Sequence, residues 1–502
     1  MRAVPRIQRH TLTLSLVLAA GCSVQTGGLG GADAGADMDV VVPPFDSGGD
    51  STVPDGFVPT DGAADGVVPL EDAGTDGGFN GGMDAGMDAG PVDAGCTSAL
   101  DACSGSTESV CDPSTETLET RSCPAGCHAT APRCARVAPS NVPTSAIDEA
   151  AADVTIGSNT TWNASTCSRT GMTPVMQTGG SMVCVMRTGN FDVDATLTVE
   201  GDRPLVVLAE GAVTIVGTID VSAYGTTPGP GGSRGGDRGH RDGYGPRFGG
   251  GGTHASSYED GGGGGGGACG AGGAGGIGED APGGGGGAAT SAAWVLSPLL
   301  GGSGGGLGQG AYSSGSYDNN GYGGAGGGAL QITSQVSIEV RGRILPGGGG
   351  GDGGGRTSSG SSINFGAGGG GGSGGSVLLE APAIAFPGSS AIIATGGGGA
   401  GSASDGGDGE PGQDGAETAA RAAGGARGGS DFGANGGQSG GGSTLGGENG
   451  DDNRNNSGNG GGGGGGAGCV LLRTAGGVAP AGTSGFSPDV PIGLRTLAVA
   501  LY

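Results

Sequence analysis

The chain has 502 residues, 130 of them Gly, and only 34% are hydrophobic. It cannot bury one large core along its whole length, so we expect islands of packed structure joined by Gly-rich excursions. The net charge of −27 argues against nucleic acid, whose phosphates need a basic footprint, and against an electrostatic grip on anionic lipid. All 21 basic residues are Arg, which excludes a phosphate-binding P-loop, Schiff-base chemistry and a Ser-Lys nucleophile.

Residues 1–22 have the pattern of an export signal: Arg2, Arg6 and Arg9, then an apolar run from Thr11 to Ala20 that is too short to cross a bilayer of about 30 Å. Leu18-Ala19-Ala20-Gly21-Cys22 resembles the lipobox of bacterial lipoproteins, with Leu18 one place further out than the usual pattern. The resemblance implies that Cys22 is acylated and holds the mature chain to the membrane, where each buried CH₂ adds about 0.8 kcal/mol. Ser23 rather than Asp after the Cys implies passage to the outer membrane. The competing reading is an ordinary cleaved signal with a chance Cys.

Residues 23–95 repeat Asp-Ala-Gly, at 72–74, 84–86, 88–90 and 93–95, with no Arg among them. Like charges repel and no apolar face forms, which predicts a disordered, extended tether with a span of roughly 45 Å or more. The Asp-Gly pairs lack EF-hand spacing, so calcium is not expected.

Cys96, Cys103, Cys111, Cys123, Cys127 and Cys134 crowd residues 96–135. In an exported chain they predict three disulfides, in any of 15 pairings. Zinc is the rival, with His128 beside Cys127, but the paired C-x-x-C of zinc modules is missing, and no metal or cofactor is expected. Cys167 and Cys184 suggest a fourth pair, and arithmetic leaves Cys269 and Cys469.

Residues 136–502 carry a hidden repeat. Leu205, Val207, Ala209, Val213, Ile215, Gly217 and Ile219 match Leu330, Ile332, Ser334, Ile338, Val340, Gly342 and Ile344 at every interval. A third copy runs through Val377, Leu379, Ala381, Ile384, Phe386 and Gly388 to Ile392 or Ile393; Cys469, Leu471 and Arg473 look like the start of a fourth. Upstream, Val183, Val185, Phe191, Val193, Leu197 and Val199 alternate likewise. Short alternating strands broken by Gly at fixed offsets predict an all-β fold. A right-handed parallel β-helix or solenoid comes first, with Leu330, Ile332, Ile338, Val340 and Ile344 facing inward, and a β-sandwich second.

The Gly-rich stretches at about 225–326, 346–373 and 396–466 lie between the copies. Gly loses the most entropy on ordering, so disorder is the first expectation. Packed polyproline-II-like rods, with backbones closing in where side chains are missing, are the alternative. Tyr224, Tyr244, Phe248, Tyr258, Tyr312, Tyr317 and Tyr322 are expected to pin the first stretch to the strands or to stack on sugars.

The lipobox, the Asp-Ala-Gly tether, the six-Cys segment, Arg203–Leu208, Gly217–Asp220 and the Gly-Gly-x-aliphatic returns together resemble the glycine-rich, Asp-Ala-Gly-tethered lipoproteins of high-GC Gram-negative bacteria. They are similar to PE-PGRS proteins in composition only. The resemblance covers most of the chain and implies an envelope location without an established activity.

Chemistry is sparse. Gly301–Gly305 and Gly371–Gly375 formally fit G-x-S-x-G, but no His follows His254 in the order a hydrolase requires. Asp352, Asp405, Asp408 and Asp414 lack the aliphatic residue of RTX calcium repeats. Asp220, Arg341, Arg343 and Glu380 near the repeat strands suggest a lyase face less simply than a solvated outer surface. The expected protein is therefore a non-enzymatic, lipid-anchored envelope protein with a structural, adhesive or matrix role, facing the surface and partnered by outer-membrane lipid and by surface polysaccharide or another cell. A carbohydrate-binding or polysaccharide-cleaving β-helix and an ice-binding polyglycine protein are the rivals.

Overall fold

The computed structural model describes residues 96–502 apart from 148–150, 256–258, 292–294, 311–318, 360–361, 416, 430–432, 454–457, 483–484 and 490–492. The signal segment 1–22 and the tether 23–95 lie outside the described residues. Regular structure among the described residues is strand, with short 3-10 turns such as Ser98–Leu100, and the chain is all-β.

β1 (Ala102–Ser104), β2 (Thr107–Asp112) and β3 (Thr117–Ser122) make a small antiparallel sheet in the Cys-rich segment. β4 (Val137–Ala138) pairs antiparallel with the C-terminal β24 (Ala500–Leu501).

From β5 (Val154–Ile156) and β6 (Thr160–Asn163) onward the chain builds three sheets in rotation. β7 (Met172–Met176) turns back antiparallel onto β8 (Met182–Thr188). β9 (Phe191–Val193) then joins β5, and β10 (Thr196–Glu200) joins β6. The circuit recurs as β11 (Leu205–Ala209), β12 (Val213–Ile215) and β13 (Thr218–Asp220), then as β14 (Ala329–Ser334), β15 (Ser337–Val340) and β16 (Arg343–Leu345). After the hairpin of β17 (Arg356–Ser359) and β18 (Ser362–Phe365) it recurs as β19 (Ser376–Glu380), β20 (Ala383–Ala385) and β21 (Ala391–Ile392). β22 (Cys469–Thr474) and β23 (Leu494–Ala498) extend the sheet of β7, β8, β11, β14 and β19, the first sheet of each circuit. The contacts between circuits are parallel, unlike the antiparallel pairing of an immunoglobulin-type sandwich.

The sequence repeat is the strand register. Leu205 pairs with Leu330, Val207 with Ile332, Val213 with Ile338 and Ile219 with Ile344. Val377, Leu379, Ile384 and Ile392 continue these columns, and all join one buried cluster. Gly217 and Gly342 stack at one corner, where a Cβ on Gly342 would meet the Gly217 carbonyl at 1.8 Å. Only Gly lets consecutive circuits close there.

Two phases differ from expectation. Val470 and Leu472 point inward in β22, and Cys184 and Met186 in β8, while Cys469, Leu471, Val183 and Val185 lie in a second buried cluster on the other face. The first sheet is covered on both faces, so its strands are apolar throughout, as in Leu205-Val206-Val207-Leu208, and alternation carries no phase. Val142, Ala146, Ile147 and Leu299 supply the outer cover.

Glu380 is a further correction: it is 1% exposed, not solvated. It sits under the 136–147 strap and accepts from Ser140 N, Gln331 Nε2 (2.9 Å) and Thr333 Oγ1 (2.9 Å), with Arg473 at 3.7 Å. Burial raises its carboxyl above the ordinary value against the pull of these donors. Arg341 and Arg343 do remain exposed, with Glu339 and Glu417 beside them, and Asp220 accepts from Ser222 N and Tyr224.

Candidate functional site: a lattice of glycine rods

The excursions leave after β13, β16 and β21 and return at β14, β19 and β22, so they emerge at one corner of successive circuits. Their described residues pack as rods, contrary to the entropic expectation. Residues 460–468 show how. Gly460, Gly463 and Gly466 donate to the carbonyls of Asp260, Gly263 and Gly266; Gly461, Gly464 and Ala467 to Asp451, Glu448 and Leu445; Gly462, Gly465 and Gly468 to Ala400, Gly397 and Ala394. Their carbonyls accept from three further segments, through Gly273, Gly371 and Gly437 among others. A chain with three residues per turn presents its amides in three directions in succession, the geometry of polyproline II. Three donor and three acceptor directions surround this rod with other rods on all sides.

Residues 260–268 and 366–375 are surrounded in the same way. These central rods come one from each excursion, and they close a ring: Gly263 donates to Gly368 (2.9 Å), Gly368 to Gly460 (3.1 Å) and Gly463 to Gly263 (2.8 Å). At the glycine positions the spacing leaves no room for a side chain. A Cβ on Gly463 would meet the Gly273 carbonyl at 2.2 Å, and one on Gly370 the Gly264 carbonyl at 2.0 Å.

A fixed residue costs roughly 1–2 kcal/mol of backbone entropy, and a backbone hydrogen bond returns about 0.5–1.5 kcal/mol net. The rods thus hold only as a group with their ends fixed by the strands. A missed sequence signal betrays them. Gly270–Gly278 reads G-A-G-G-A-G-G-I-G, with Ala271, Ala274 and Ile277 at every third place, turned away from the buried side. Gly409, Gly412 and Gly415 likewise donate in series to Gly354, Gly351 and Gly348.

Cys22 lies outside the described residues. The others pair as Cys96–Cys111, Cys103–Cys127, Cys123–Cys134 and Cys167–Cys184, and Cys269 pairs with Cys469. The sulfur clusters Cys103–Cys123–Cys127 and Cys123–Cys134 near Glu108 belong to these disulfides. The two G-x-S-x-G serines bind each other: Ser303 N donates to Ser373 Oγ (2.8 Å) and Ser373 N to the Ser303 carbonyl (3.0 Å), both buried inside rods. His254 instead holds Asp260, with Nδ1 2.6 Å from Oδ1. Asp408 and Asp414 cap amides, Arg356 N for the first and Gly225 N and Gly350 N for the second. Tyr244 and Phe248 are exposed, Tyr224 is exposed but its hydroxyl donates to Asp220 at the end of β13, Tyr258, Tyr312 and Tyr317 lie outside the described residues, and Tyr322 lines a cavity.

These features define an all-β protein with paired cysteines and a fused glycine lattice. Comparison with protein-family models, with curated proteins and with solved structures returns no match.

Proposed function

We propose that the chain is a non-enzymatic, lipid-anchored protein of the cell envelope with a structural and adhesive role, held at the outer membrane through Cys22 and carried outward on the 23–95 tether. The observation that carries this reading is the ring of Gly263, Gly368 and Gly460, which locks the central rods of three excursions to one another through backbone hydrogen bonds. Backbone groups spent on one another build a stiff scaffold rather than a reaction site. The paired cysteines suit an oxidising compartment. The likeness in composition to the Asp-Ala-Gly-tethered lipoproteins points the same way.

In this reading the strand core is a right-handed parallel β-helix. Parallel crossovers in one sheet take the right hand in about 98% of cases, and the strands visit the three sheets in constant order.

Protease shaving of intact cells, with Cys22→Ala beside wild type, tests the placement. Wild-type chain clipped within 23–95, with the variant released, is the expected result. Protection of wild type until the outer membrane is broken would move the lattice to the periplasm and remove adhesion.

A further inference from the structure

The rod at 321–328 is covered incompletely on one side. Gly328 donates to the Val221 carbonyl and Ala325 to that of Gly225, each at 2.8 Å, so 221–225 forms the cover. The chain then reverses at Tyr224 and Thr227, which bond each other in both directions, with Gly225 at φ 52°. Where the cover stops, a cavity of about 570 Å³ opens. Gly235, Gly236 and Gly323 line it without side chains, and Thr226, Thr227, Arg234, Asp237, Tyr322 and Asp352 complete it.

Several polar side chains elsewhere in the lattice cap its amides: Asn449 takes Ala274 N, Asp452 takes Ile277 N, and Asp414 takes two amides. Around this cavity four side chains cap nothing. Among the described residues the side chains of Thr226, Thr227, Arg234 and Asp352 make no hydrogen bond or ion pair. Asp237 uses one oxygen, Oδ1, to hold Gly239 N and His240 N. Burial, and then the charge of Asp414, raises the Asp352 carboxyl above its ordinary value.

We propose that this cleft binds a neutral, hydroxyl-rich saccharide unit. Arg234 donates, Asp237 and Asp352 accept, and the Thr hydroxyls do both, which suits a ligand whose every edge carries O–H groups. The Tyr322 ring offers an apolar body for C–H faces. The volume lies in the range of small-ligand sites, about 300–1,000 Å³. The two carboxylates and a net charge of −27 disfavour an acidic sugar. A further glycine rod would need walls free of side chains, and these are not.

The site gives the adhesive part of the proposed function a ligand class and rests on that reading for its setting. Binding by purified chain and release from cells are separate readouts, so either fails without the other. The test is calorimetric titration of the full chain in detergent with maltotriose, cellotriose and mannotriose, and with trigalacturonate as the charged probe. At least one neutral trisaccharide should bind, with Arg234→Ala and Asp352→Asn each weakening it about tenfold or more while melting temperature stays at the wild-type value. Three results overturn the proposal: no heat from any neutral probe, tighter binding of trigalacturonate, or unchanged affinity in both variants. If a variant melts early, Thr226→Val and Thr227→Val on the exposed turn replace it, and unchanged affinity in both then overturns the proposal too.

Discussion

Gly463 donates its amide to the carbonyl of Gly263 at 2.8 Å, and the same offset recurs at Gly466 and Gly266 and at the disulfide of Cys469 and Cys269. The central rods of the first and third excursions therefore run side by side in one register, and a covalent bond closes that register where the third rod becomes β22.

Cys269→Ser with Cys469→Ser should lower stability by about 2–4 kcal/mol, since the link closes a loop with a sequence separation of 200. The loss should fall mainly on the lattice. Hydrogen exchange read by mass spectrometry should show faster exchange in 261–278 and 460–468 than in β11 and β14. Uniform acceleration through strands and rods would show that the bond does not hold the register.

Adjacent glycines separate lattice packing from glycine content. A Cβ on Gly284 would meet the Gly250 carbonyl at 1.8 Å, whereas one on Gly285 meets nothing within 4 Å. Gly284→Ala should cost about 1–3 kcal/mol or more through overpacking. Gly285→Ala should be neutral or stabilise by about 0.4–1 kcal/mol through the unfolded chain. Thermal melts of the pair decide, and equal losses would mean that the rods are not packed side by side.

What was legible in the sequence follows from where side chains carry information. Leu205 to Ile219 against Leu330 to Ile344 gave the register residue for residue, because each inward position must be apolar. The phase of β8 and β22 was hidden because both faces of their sheet are buried, so Val470 and Leu471 look alike. The rods were hidden for a different reason. Their contacts are made by backbone, and a run such as Gly460–Gly466 says only that nothing projects, not what lies alongside. The cleft was hidden because Thr226, Arg234, Tyr322 and Asp352 meet only once the rods are in place.

Glu380 should anchor the strap over the first sheet. Glu380→Ala removes the acceptor of Ser140, Gln331 and Thr333 and leaves Arg473, whose side chain is only 16% exposed, without its carboxylate. Breaking such a buried pair costs about 3–5 kcal/mol. Proteolysis near Ser140 should become rapid in the variant, and a strap that stays protected would show that its apolar residues suffice.

Asp260 sets a pH dependence. Burial pushes its carboxyl up from 3.8 to about 6, against the opposing charge and hydrogen bond of His254, with Glu259 adding to the rise. Between those values the folded chain holds a proton that the unfolded chain has released. The contribution of Asp260 to folded stability should therefore be greatest below the lower value and fall as pH rises through about 6. Asp260→Asn keeps the shape and removes the titration, so its melting temperature should lose part of the decline that wild type shows over that window. Matching slopes for wild type and variant would mean that Asp260 is as well solvated in the folded lattice as in the unfolded chain.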